Sequence, residues 1–172
     1  MTAYPNLKGS LTLPQIVTHL PQPVLVRRAE VPMDSLATNG PATIDAVRDV
    51  MAAQGIAATG PGFLRYDRIS MACDMQMAFG YPVAPGTTAN GDLSFETLPA
   101  GRYISIRHHG HPDELYDVTI MLIEWSKVRK VQWDVEETPE GDRFGARMEI
   151  FHNDAGPPSD DWITEIRIRL RD

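Results

Sequence analysis

Apolar and polar positions change period several times along the chain, and each change marks an element. "PVLVRRAEVP" (Pro23–Pro32) places β-branched residues between two prolines and predicts a strand. In "ATIDAVRDVMAAQG" (Ala42–Gly55) the residues Ile44, Val47, Val50 and Met51 share one helical face, so a helix is predicted, stopped by Gly55. "GPGFLRYDRI" (Gly60–Ile69) is a turn followed by a strand. "CDMQMAFGYPV" (Cys73–Val83) is a second strand, closed by Pro82. The polar, glycine-rich "APGTTANGD" predicts a linker or long loop.

The order then starts again. "GRYISIRHHG" (Gly101–Gly110) alternates as a strand does. "HPDELYDVTIMLIEWSKVRKV" (His111–Val131) carries the strongest helix signal, with Pro112, Asp113 and Glu114 at its start and Lys127, Arg129 and Lys130 at its end. Leu115, Val118, Leu122, Trp125 and Val128 form its expected apolar stripe. "FGARMEIFHN" (Phe144–Asn153) and "DWITEIRIRL" (Asp161–Leu170) close the chain as strands. Strand, helix, strand, strand thus appears twice, over about residues 23–85 and 100–172. One helix cannot cover enough apolar area to stabilise either half alone. The expected fold is α+β: a tandem βαββ repeat with pseudo-two-fold symmetry, an antiparallel sheet and two helices. Residues 1–22, with three prolines, are expected to be an arm or a short added strand.

In the last strand, Ile163, Glu165, Arg167 and Arg169 fall on one side, and Trp162, Thr164, Ile166, Ile168 and Leu170 on the other. Glu165 is either a solvated strand residue or the charged floor of a pocket. Periodicity alone favours the solvated reading, because exposed glutamates are common in strands.

Composition narrows the classes. At 172 residues, 42% hydrophobic and 23% charged, the chain suits a water-soluble domain with its own core. A formal net charge of −7 lacks the basic footprint of nucleic-acid binders, so direct DNA or RNA binding is not expected. That charge mildly favours cationic ligands at long range. No apolar run approaches the roughly 20 residues a membrane helix needs, and "MTAYPNLKGS" shows no signal-peptide pattern, which makes the cytoplasm the default compartment. The single cysteine, Cys73, excludes an internal disulfide and is expected to be a small buried hydrophobe. His108 and His109 are adjacent in a strand and point to opposite faces. His111 suits a helix cap or a pairing with Asp113, so no metal site is expected. The chain has no glycine-rich strand–turn–helix fingerprint, and no cofactor is expected.

"GRYISIRHHGHPDELYDVTIMLIEW" resembles the second-half strand and helix of the GyrI-like small-molecule-binding family. "MEIFHNDAGPPSDDWITEIRIRL" resembles that family's ending more closely: a glutamate-bearing strand, a loop with Asp, Gly and Pro, then a Trp-x-Thr-Glu-Ile strand. "GPGFLRYDRI" is similar to the matching turn and strand of the first half. Arg169 replaces the family's usual proline. The family comprises effector-binding domains of AraC- and MerR-type bacterial regulators and their stand-alone relatives, and this chain resembles the latter, having no helix-turn-helix segment before Pro23. The resemblance implies a cleft between the halves and a lipophilic, often cationic, ligand held by aromatics around a buried glutamate, which matches Glu165 here. Haem, bound by members of a related fold, has only the histidines to recommend it.

An aromatic wall with a carboxylate suits an organic cation, because rings supply cation–π attraction and the carboxylate supplies charge. Glu165 with Trp162, Tyr66, Tyr103 and Tyr116 would make such a site; the alternative is that these aromatics are core. Met77 is a candidate lining residue or simply core, as are Met71, Met75 and Met148. Trp125 and Trp133 are expected in the core. Three functions stay open. The first is binding, for sensing or sequestration. The second is hydrolysis of electrophilic, cyclopropane-type molecules as in some stand-alone relatives, with Glu165 and Glu149 as the catalytic carboxylates and tryptophan in the same cleft. The third is a protein-interaction role that shields a partner enzyme.

Overall fold

The computed structural model describes residues 7–153 and 157–172. Of the elements anticipated from sequence, the first six residues of the arm and residues 154–156 of the loop with Asp, Gly and Pro lie outside the described residues.

Two short strands come first, β1 (Ser10–Leu11) and β2 (Gln15–His19), where an arm or added strand was expected. The first repeat is β3 (Gln22–Val31), α1 (Leu36–Ala53), β4 (Phe63–Ile69) and β5 (Met75–Pro82). An edge strand, β6 (Ser94–Leu98), leads into the second repeat, which opens with β7 (Gly101–His109) and α2 (Leu115–Arg129). A hairpin of β8 (Val135–Thr138) and β9 (Gly141–Phe144) interrupts it before β10 (Arg147–Phe151) and β11 (Ile163–Arg169).

The six repeat strands lie in the order β7-β11-β10-β4-β5-β3, all antiparallel. Each half reads the same outward from the β4–β10 junction, as a two-fold axis at that junction requires. There Met148 pairs with Arg65, Glu149 with Leu64 and Ile150 with Phe63. β1 and β2 extend the β7 edge, and β6 extends the β3 edge. Yet β2 reaches β3 through Leu20 and Pro21 alone, and β6 reaches β7 through Pro99 and Ala100. Two such short links draw opposite edges together, so the sheet curls and one face turns inward. Val24, Val26 and Leu98 from one edge therefore share a core with Val17 and Tyr103 from the other, along with Phe63, Met148 and Ile150.

Both helices cover the outer face. α1 buries Ile44, Val47 and Met51 over Leu25, Leu64, Met77 and Phe79, the face expected from sequence. It starts six residues earlier than predicted and runs through Gly40 and Pro41. α2 buries Leu115, Val118 and Leu122 over Ile104, Ile106, Ile166 and Ile168. Its stripe departs from expectation at the end: Val128 is 80% exposed, while Ser126 is buried. Positions 115, 118, 122 and 126 keep the helical period, and 128 falls off it. The Ser126 hydroxyl is satisfied, donating to the Leu122 carbonyl at 2.7 Å and accepting from Trp133 Nε1 at 3.0 Å. His111 accepts from the Asp113 backbone N–H and caps the turn before α2. Cys73 is exposed rather than buried, beside Arg68 at 3.5 Å. No helix among the described residues is long and apolar enough to cross a membrane.

Candidate functional site: a cleft between the two helices

With a helix on each side of the pseudo-two-fold, the outer face over β4 and β10 is left as a trough of about 480 Å³. Leu64 and Tyr66 of β4 and Arg147, Glu149 and Phe151 of β10 form its floor. They share that face because alternate residues of paired strands point the same way. Leu36 and Pro41 supply the α1 wall; Tyr116, Thr119, Ile120 and Ile123 supply the α2 wall. α2 is therefore apolar on two sides, one packed on the sheet and one facing the cleft. Trp162, 7% exposed, stands edge-to-face on Phe151 with ring centroids 5.6 Å apart. Beyond it a second hollow of about 420 Å³ continues over Gly62, Tyr81 and His152.

Two charged groups lie on this mostly apolar floor. The Tyr66 hydroxyl donates to Glu149 Oε1 at 2.8 Å. Burial pushes the Glu149 carboxyl above the usual carboxylate range, against the opposing pull of that hydrogen bond and of Arg147. Burial, then the neighbouring Glu149, pushes the Tyr66 phenol well above its ordinary value. The Arg147 guanidinium lies 5.0 Å from the Tyr66 ring centroid and 5.1 Å from that of Phe144.

Of the residues singled out in the sequence, Tyr66, Tyr116, Trp162 and Glu149 line this cleft. Met77 is opposite Tyr66 in the β4–β5 register and on the same face, but it is buried beneath α1 and does not line the cleft. Glu165 and Tyr103 are corrections. Both point to the inner face of the curled sheet, as the registers Glu165↔Ile150 and Arg169↔Tyr103 require. Tyr103 is inner core, and its hydroxyl donates to the Pro99 carbonyl at 2.6 Å. Glu165 is 3% exposed, so it is not solvated either. It accepts from Ser105 and Arg167 at 2.8 Å each and lies 2.6 Å from His152 Nε2. Burial alone would raise its carboxyl; the hydrogen bond and charge of Arg167, with Ser105 and His152, hold it at about 2 instead. Trp162 lies one residue before β11 and three from Glu165, an odd separation that puts the two on opposite sides of the chain as it enters the strand. The two-carboxylate hydrolytic site does not assemble, because the sheet separates Glu165 from Glu149.

Sequence reasoning missed Arg147, Ile120 and Ile123. Arg147 could have been found from Glu149, since i and i+2 share a strand face. The helix positions depended on where α1 would leave α2 uncovered.

Solved structures share this fold. The C-terminal domain of EcmrR aligns with a TM-score of 0.67 at 21% identity, over 96% of this chain and 99% of that one. EcmrR in its DNA complex aligns with a TM-score of 0.71 at 20% identity, over 94% of this chain, which spans only 57% of that longer one. SAV2435, bound to tetraphenylphosphonium, aligns with a TM-score of 0.58 at 11% identity, over 93% of this chain and 94% of that one. No curated protein matches by sequence. The GyrI-like small molecule binding domain matches residues 13–171, nearly the whole chain, and the chain belongs to that family.

Proposed function

We propose that the cleft holds a lipophilic small molecule whose cationic group faces Glu149, and that this cytoplasmic domain senses or sequesters it. The observation that carries the reading is the Glu149 carboxylate on an aromatic floor, hydrogen-bonded by the neutral Tyr66 hydroxyl. Burial makes the ionised form costly there, and an arriving organic cation repays that cost. Tyr66, Tyr116 and Trp162 add apolar area and ring faces for the same group. The tetraphenylphosphonium in SAV2435 is a ligand of this class. The net charge of −7 argues against the domain itself gripping DNA.

Calorimetric titration with tetraphenylphosphonium tests the reading. Glu149→Gln is expected to weaken binding about tenfold, or ~1.4 kcal/mol. Affinity in the wild type should climb with pH as Glu149 ionises. Equal affinity in wild type and variant, or no binding to either, refutes the proposal. The variant should melt no lower than the wild type near neutral pH. A raised folded pKa means the unfolded chain ionises first, so Glu149 detracts from stability once the pH exceeds its unfolded value.

A second reading has one observation behind it. A carboxyl held above its usual range can keep its proton and act as general acid toward an electrophilic ring, with water as nucleophile. Product formation from an epoxide or cyclopropane probe, lost in Glu149→Gln, would support it. Unchanged substrate after incubation with the wild type would reject it.

A further inference from the structure

We infer that Arg147 is a second anchoring point in the cleft and that the preferred ligand is a lipophilic zwitterion, whose anionic group meets Arg147 while its cationic group meets Glu149. This rests on the binding role proposed for the cleft and narrows its ligand class.

Arg147 differs from the other shielded arginines. Arg65, Arg167 and Arg169 each donate to a carboxylate, Asp67 at 2.5 Å, Glu165 at 2.8 Å and Asp134 at 2.5 Å. Arg147 is half-buried on the cleft floor, yet it forms no hydrogen bond or ion pair with any described residue. Its guanidinium lies by the rings of Tyr66 and Phe144, while the Glu149 and Asp142 carboxylates attract it through space without a direct bond. Contact with the rings does not satisfy the N–H donors of a guanidinium, which stay available to an acceptor. A planar cation with free donors, held by rings, is preorganised for a carboxylate or similar acceptor, which it can take in a two-pronged grip.

Charge balance points the same way. Arg147 and Glu149 are two apart on one strand, so their Cα atoms are separated by roughly 7 Å on a common face. With Glu149 ionised, the pair leaves the floor without net charge. A simple cation then gains at Glu149 but is repelled at Arg147. A zwitterion satisfies both groups and leaves neither charge unpaired in an apolar site, where an unpaired charge is most costly. Arg147 is thus a specificity-determining residue that selects against simple lipophilic cations.

The test is calorimetric titration of the full chain with two probes of equal tail, both below their micelle concentrations. One is decyltrimethylammonium. The other is N-decyl-N,N-dimethylglycine, which differs by a carboxylate on one N-methyl group. The wild type is expected to bind the zwitterion about tenfold more tightly, and Arg147→Met should erase that preference. Should Arg147→Met not fold, Arg147→Lys keeps the charge without the flat fork and should retain only part of the preference. The proposal is overturned if the wild type binds the cation as tightly as the zwitterion, or if the preference survives in Arg147→Met. In that case cation binding by the wild type leaves the Glu149 reading standing. Silence of both probes and of tetraphenylphosphonium overturns the binding reading as well.

Discussion

Glu165→Gln is expected to destabilise the fold by about 3 kcal/mol near neutral pH while leaving cleft affinities unchanged. The folded carboxyl sits at about 2. Against an unfolded value of about 4.3, that difference is worth ~3 kcal/mol. The same size follows from geometry. Glutamine keeps the shape and can still accept from Ser105, but Arg167, 17% exposed, and His152 lose their anion. Removing one partner of a buried pair costs about 3–5 kcal/mol, and the partial exposure of Arg167 and His152 brings the figure to the lower end. The sign with pH is fixed. A depressed folded pKa stabilises above the unfolded value and loses that contribution as the pH falls through the folded one. Urea melts of both proteins should therefore differ most above about pH 5 and converge toward about pH 2. Loss of less than about 0.5 kcal/mol near neutral pH would mean that Glu165 is not in a buried network.

The second large effect is expected at a glycine. In Gly80→Ala, the added Cβ would run into the Leu25 carbonyl oxygen and lie 2.8 Å from Val26 Cγ1. The oxygen belongs to β3, paired with β5 on either side of this point, so it cannot withdraw without opening the ladder. A loss of about 3 kcal/mol or more is expected, seen as a lower urea midpoint or as failure to fold. Gly40→Ala is the control. Its Cβ would meet Leu36 Cδ1 of α1 at 3.5 Å and Leu64 Cδ2 of β4 at 3.6 Å, ordinary contacts. Alanine there should change stability by less than about 1 kcal/mol, because its gain in helix propensity is opposed by crowding of a Cβ against the ring of Pro41. If the two variants melt alike, the close approach of β3 to β5 is wrong.

Much of the architecture is written locally. Alternation in "GRYISIRHH" and "ITEIRIR", and the helical spacing of Ile44, Val47 and Met51, need only the chain's own geometry and one buried face. Where the local signal and the structure part, tertiary packing has overridden propensity. Asn39, Gly40 and Pro41 look like a helix stop, yet α1 runs through them, because Leu36 and Gly40 sit against the sheet. β6, β8 and β9 carry few apolar residues and take their strand form from backbone pairing with β3, β4 and one another.

For the site, the chain by itself determined the residue types and the strand faces: an aromatic and acidic set, and Glu165 opposite to Trp162. Only the curled sheet decided what each face meets. Short links between its edges turned one face inward, so Glu165 became a buried ion-pair centre and Tyr103 became core. The pseudo-two-fold set the helices apart on the other face, so Glu149, Tyr66 and Arg147 became the floor of a cleft. Alternation fixes which side of a strand a residue takes, whereas which side stays open depends on contacts between residues far apart in the chain.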